Sequence, residues 1–200
     1  NKRFILKNLN ENFKFSRYEH SFIWLKEAGV ALPVYCVQEP QVPLLLSKAT
    51  NLFKLFLSDV GLLAAMYADG LQIRILNKEN NINFGSVYEN AVAQELCAHG
   101  FEVYYFNNKK QGELDFVIEF EGEALPLEVK SGKDYTKHRA LNHVLESPNY
   151  HIQNAIVFCN ENIEVKDQIF YCPIYMAGFL EKRTVPEDYI YTLDLSVLQD

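Results

Sequence analysis

The segment Glu113-Leu114-Asp115-Phe116-Val117-Ile118-Glu119-Phe120-Glu121-Gly122-Glu123-Ala124-Leu125-Pro126-Leu127-Glu128-Val129-Lys130 reads as two strands joined by a tight turn. Successive strand residues point to opposite faces, so Glu113, Asp115, Val117 and Glu119 are expected on one side, with Leu114, Phe116, Ile118 and Phe120 on the other. Glu121-Gly122-Glu123 is hairpin-loop chemistry, which makes the flanking strands antiparallel neighbours. Glu128 and Lys130 share a face of the second strand. Asp115 is therefore expected near the Glu128–Lys130 pair, although composition alone leaves the register open.

Two carboxylates beside one lysine are suited to a particular chemistry. Carboxylate oxygens are hard ligands for Mg²⁺ or Mn²⁺, which typically keep several waters and take substrate phosphates. Such an ion lowers the pKa of a bound water, while an ammonium orients that water or steadies developing charge, as phosphodiester hydrolysis requires. The plainer reading is a solvated ladder of opposite charges across paired strands, worth a few tenths of a kcal/mol. Glu128, however, stands between Leu127 and Val129 in an apolar strand, the pattern of a central strand in which an idle acid is costly.

Working outward, residues 86–99 form a helical pattern with Tyr88, Ala91, Val92 and Leu96 on one face and Gly100 as its stop. A strand over 102–106 and a polar turn over 107–112 lead into the hairpin. A helix over 135–146, a buried strand over 155–158 and a further strand over 168–171 follow. Ser86 and Glu89 have capping-box spacing, so Glu89 is either a helix-start residue or a third acid for the site. Upstream, residues 16–29 read as a helix with Ser16 and Glu19 as a capping pair, Tyr18, Phe22, Leu25 and Ala28 inward, and Gly29 as stop. Extended segments over 31–37 and 42–46, an apolar run over 52–57 and a short helix capped by Ser58 or Asp59 come next. Residues 71–83, which include Asn77, Asn80, Asn81 and Asn83, read as a linker. A helix followed by short paired strands is the plan of a winged helix. The same plan also serves as a connector or a dimer surface, and the helix lacks a basic stripe.

The spacing Asp115…Glu128-Val129-Lys130 resembles the PD-(D/E)XK motif of restriction-endonuclease-like and Holliday-junction-resolvase-like nucleases, although Leu114 stands where that motif has proline. The resemblance implies a core of helix, three strands, helix and strand. It also implies metal ligation by Glu89, Asp115, Glu128 and the Val129 carbonyl, with Asp115, Glu128 and Lys130 as catalytic residues. A wider resemblance, carried by Trp24-Leu25-Lys26-Glu27-Ala28-Gly29, residues 52–63, residues 87–96 and the two strand motifs, is to the C-terminal region of bacterial and archaeal AAA-type ATPases. In those proteins a winged-helix-like segment and an uncharacterised nuclease-like domain follow a P-loop ATPase. No GxxxxGK[ST] occurs here, so no nucleotide site is expected in this chain.

The expected fold is thus α/β (α+β): a winged-helix-like segment over 1–70, a linker over 71–83, and a restriction-endonuclease-like domain over 84–200 with a central mixed sheet flanked by helices. The expected function is a Mg²⁺- or Mn²⁺-dependent DNA nuclease module attached to an ATPase. The alternative is an inactive DNA- or protein-binding module that regulates that ATPase, and a third reading has the Leu- and Phe-rich first 70 residues drive homo-oligomerisation.

Bulk properties bound these readings. A hydrophobic fraction of 48% and an aromatic fraction of 14% are those of a folded chain. A net charge of -7 opposes whole-surface binding to nucleic acid, which depends on Lys and Arg neutralising phosphates, and leaves a local basic groove open. Lys109, Lys110, Lys133, Lys137 and Arg139 flank the site and either receive a phosphate backbone or form ordinary solvated surface. Cys36, Cys97, Cys159 and Cys172 are scattered without metal spacing and read as buried hydrophobes of a reducing compartment. The five histidines are scattered too. With no initiator Met, no signal-peptide pattern and no apolar run long enough for a membrane span, the expectation is a piece of a cytoplasmic protein.

Overall fold

The structure, a computed structural model, describes residues 15–67, 70–77, 79 and 84–182, without the side chains of 15–19 and 71. Tyr18, the Ser16–Glu19 pair and Asn80, Asn81 and Asn83 of the expected linker fall outside that description.

One mixed sheet of eight strands, flanked by helices, organises the chain in the order β2-β1-β3-β4-β5-β6-β8-β7. Helix α1 (Phe15–Glu27) ends at Gly29, whose φ of +68 suits a residue without a Cβ. Phe22 is buried against Phe53, whereas Leu25 and Ala28, expected inward, are exposed. Strand β1 (Ala31–Val37) pairs antiparallel with β2 (Lys48–Leu57). Between them, residues expected to be extended over 42–46 instead form a 3-10 turn, Leu44–Ser47, that buries Leu44. Helix α2 (Val60–Ala65) is capped by Asp59, which accepts from the Leu62 N–H at 2.9 Å. Within the expected linker, Leu71–Leu76 forms a short helix, α3, that starts after Gly70.

Helix α4 (Gly85–Ala98), β3 (Tyr104–Asn108), β4 (Gly112–Phe120), β5 (Glu123–Val129), α5 (Arg139–Leu145) and β6 (Ala155–Cys159) follow in the expected order. The hairpin between β4 and β5 turns on Glu121 and Gly122, with φ of 52 and 84, the two left-handed residues of a type I′ turn. Beyond β6 lie β7 (Glu164–Lys166), β8 (Ile169–Pro173) and a 3-10 helix, Ile174–Phe179. Strands β5, β6 and β8 run parallel, and so do β1 and β3. The β1–β3 pairing carries one sheet through residues on both sides of the segment 71–83.

Two apolar layers cover the sheet. Val92, Ala93 and Leu96 of α4 pack on Phe116, Ile118, Leu127 and Val129 on one face. Leu141 and Val144 of α5 pack with Leu114, Val117 and Val157 on the other. All four cysteines are free, and burial raises the Cys97 thiol to about 11 and lifts Cys159 and Cys172 as well, which suppresses thiolate chemistry near neutral pH. No described helix is long and apolar enough to cross a membrane.

Candidate active site

The expected alternation of β4 is broken at the residue that matters most. Tyr104 pairs with Val117 but Phe106 pairs with Leu114, so Asp115 and Phe116 together face Tyr105. This is a β-bulge, which re-aims side chains and ends regular pairing. It explains why Leu114 packs in the α5 layer while Phe116 and Ile118 pack in the α4 layer, although simple alternation puts all three on one face.

The bulge also frees a backbone donor for a carboxylate. The β4–β5 ladder runs from Phe120↔Glu123 to Phe116↔Leu127. Beyond that last pair, the Val129 N–H donates to Asp115 Oδ2 at 3.0 Å. Asp115 is thereby held beside Glu128. Both are buried, at 6% and 3% exposure. Lys130 Nζ lies 2.8 Å from Glu128 Oε2, and its side chain remains partly exposed, so it forms the solvent-facing side of the pair.

Two acids in contact inside a protein cannot both ionise cheaply. Burial first, and the Asp115 charge second, push the Glu128 carboxyl up to about 8, against the lowering influence of Lys130. Glu128 therefore retains its proton through most of the neutral range. A carboxyl poised in that range beside a second carboxylate is an electrostatic pattern that catalytic sites use.

Glu89 is also buried, at 3% exposure, on the α4 face that carries Val92, Ala93 and Leu96 at spacings of three, four and seven residues. The expected capping box is not formed. Helix α4 begins at Gly85 with Phe84 as its N-cap and no side-chain cap bond, and Ser86 Oγ instead pairs with Tyr67 Oη at 2.8 Å. Strand alternation turns Glu128 away from the α4 layer that Leu127 and Val129 join. Among the described residues, no group of three or more His, Cys, Asp or Glu side chains is arranged to hold a metal ion. The structure thus brings Asp115, Glu128 and Lys130 together without completing a three-acid cage with Glu89. The donor chemistry nevertheless fits a hard divalent cation, since Asp115 and, once it gives up its proton, Glu128 offer carboxylate oxygens side by side.

Sequence patterns missed one residue. Lys54 of β2, 1% exposed, places its Nζ 3.0 Å from Glu113 Oε1 and 3.9 Å from Asp115 Oδ1, and 5.0 Å from the centre of the Tyr105 ring. Among the described residues no acceptor is aligned for a hydrogen bond to that Nζ, so the contacts are ionic. In the sheet order β1 and β3 separate β2 from β4, so this approach is made across the face of a curled sheet. Phe56, two residues on, meets Phe116 there with ring centres 5.4 Å apart. Asn90 of α4 secures the end of β2, accepting from the Leu57 N–H at 2.8 Å and donating to the Leu57 carbonyl at 2.9 Å. The one local signal for Lys54 was a lysine inside the apolar run over 52–57.

Residues 84–176 match a family described as a domain of unknown function, DUF4143. The DUF4143 match begins at the N-cap of α4 and ends within the last 3-10 helix, so it contains Glu89, Asp115, Glu128 and Lys130 but not Lys54. No curated protein and no solved structure matches the chain.

Proposed function

We propose that this chain carries a metal-dependent DNA nuclease module of the PD-(D/E)XK kind, joined in a longer protein to an AAA-type ATPase. The observation that carries this reading is the buried Asp115–Glu128 contact, backed by Lys130 at 2.8 Å, where pairing between β4 and β5 ends. The element order from α4 to β6 fits that family's core. DUF4143 domains typically lie C-terminal to AAA ATPase domains, which favours the ATPase as covalent partner.

Asp115, Glu128 and the Val129 carbonyl would hold Mg²⁺ or Mn²⁺, which when bound supplies an activated water and neutralises charge on the scissile phosphate, while Glu89 stays in the buried face of α4 outside that set. Lys130 orients the Glu128 carboxyl and offers an ammonium to the attacking water or the phosphate. Lys109, Lys110, Lys133 and Arg139 are exposed and suit a DNA backbone. Lys137 is exposed too but shares its charge with Asp134 at 2.7 Å.

A second reading has its own observation. Both acids already face lysines, and the three acids form no ready cage, as in a retired nuclease fold that regulates its ATPase by binding DNA, protein or a second copy of itself. Mn²⁺ titration by calorimetry, with cleavage assays on linear and branched DNA, separates the two. The nuclease reading requires saturable Mn²⁺ binding and Mn²⁺-dependent cleavage, both lost in an Asp115→Asn/Glu128→Gln protein. Equal behaviour of wild type and double variant with DNA present would sink it.

A further inference from the structure

Lys54 is the one lysine or arginine buried among the described residues. A buried ammonium is expensive to desolvate and is kept where it neutralises something. Here its neighbours are Glu113 at 3.0 Å and Asp115 at 3.9 Å, with the face of Tyr105 below. The two Asp115 oxygens point to different partners. Oδ2 accepts the Val129 N–H, and Oδ1 is turned toward Lys54. Carboxylate–metal distances are about 2.0–2.6 Å for hard divalent ions, so an ion on Oδ1 would lie within a few ångströms of the Lys54 ammonium. Like charges that close, in a site shielded from water, repel strongly.

We propose that Lys54 is a positioning residue of this site and its resident cation: it holds the Asp115 carboxylate by charge, and a divalent ion has to share that carboxylate with it. This rests on Asp115 being a metal ligand, as argued above. The consequence is a device that keeps metal affinity low until further negative charge enters. A DNA phosphate beside the site supplies such charge, so metal and DNA bind cooperatively, with Lys54 as the element each must accommodate. Because Lys54 comes from β2, outside the matched region 84–176, the site draws on both parts of the chain.

The test compares Mn²⁺ affinity without DNA in wild type, Lys54→Met, Lys54→Arg and Lys54→Met/Asp115→Asn proteins, with folding of each checked by thermal melting. The expected result is an affinity at least about tenfold tighter in Lys54→Met, near wild type in Lys54→Arg, and abolished when Asp115→Asn is added. Mn²⁺ binding that needs Asp115 but is unchanged in Lys54→Met overturns the role of Lys54 and leaves the metal reading standing. No Asp115-dependent binding in any of these proteins, even with oligonucleotide added, overturns both. If Lys54→Met does not fold, NMR of the wild type decides. Saturating Mg²⁺ with oligonucleotide should move the Lys54 ammonium and the Asp115 carboxyl resonances together. Movement of Asp115 alone overturns the proposal.

Discussion

Replacing Glu128 with glutamine removes a proton site that burial and the Asp115 charge raise from 4.5 to about 8. The direction of the effect follows from which state binds more protons. Below about 4.5 folded and unfolded chains are both protonated at this residue, and its full contribution to stability is present. Between 4.5 and about 8 the unfolded chain has lost the proton and the folded chain still holds it, so stability falls as pH rises. Above about 8 the loss levels off. At about 1.4 kcal/mol per pH unit, that window allows a loss on the order of a few kcal/mol. Glutamine keeps the shape of the protonated acid and can still donate a hydrogen to Asp115, but it cannot ionise. Its cost is the Lys130 contact at 2.8 Å, which matters little where Glu128 is protonated anyway. Glu128→Gln should therefore match wild type near pH 5 and exceed it by roughly 2–4 kcal/mol near pH 9. Urea unfolding of both proteins, from pH 5 to 9 in chelator, yields the difference directly and cancels the titrating groups that do not contact Glu128. Parallel profiles across that range would refute the shared-proton account of the Asp115–Glu128 pair.

The remaining predictions concern the same site and its supports. Mn²⁺ binding near pH 7 should release close to one proton, because Glu128 must ionise to become a ligand, and calorimetry in buffers of different ionisation enthalpy measures it. Asn90→Ala should cost about 2 kcal/mol by leaving the Leu57 N–H and carbonyl without their partners, read as a lower urea midpoint and faster amide exchange in β2. Gly112→Ala should cost about 1–3 kcal/mol, since φ is +103 and the new Cβ would stand 2.8 Å from the Ala140 Cβ, and thermal melting would show it.

Local pattern determined a good deal of this molecule. The alternation over 113–120, the Glu121-Gly122 turn and the apolar strand around Glu128 defined a hairpin, because turn chemistry and period-two burial act over a few residues. The stops at Gly29 and Gly100 are equally local, each with a positive φ that glycine adopts without strain. The hairpin pointed to Asp115 near Glu128 and Lys130 with its register left open, which the β3–β4 bulge and the Val129 N–H then settle, and the helix–strand order from α4 to β6 followed from periodicity.

Other features had no local signal. Alternation predicted the wrong company for Leu114, because a bulge is settled by how β3 and β4 fit together and not by either strand's composition. Ser86 and Glu89 satisfied the spacing of a capping box, yet packing drew Glu89 into the buried face of α4 and Ser86 to Tyr67. The first segment read as a separate unit because its nearest pairing, β1 with β2, is local, while the parallel β1–β3 contact joins residues far apart in the chain. Lys54 is the clearest case. On its own strand it is a lysine among apolar residues, and only the curl of the sheet, fastened by Asn90 and by Phe56 on Phe116, lays its ammonium against Glu113 and Asp115. The physical reason is that a chain can encode the chemistry of a side chain locally, whereas the charge that side chain meets is set by the packing of elements distant in sequence.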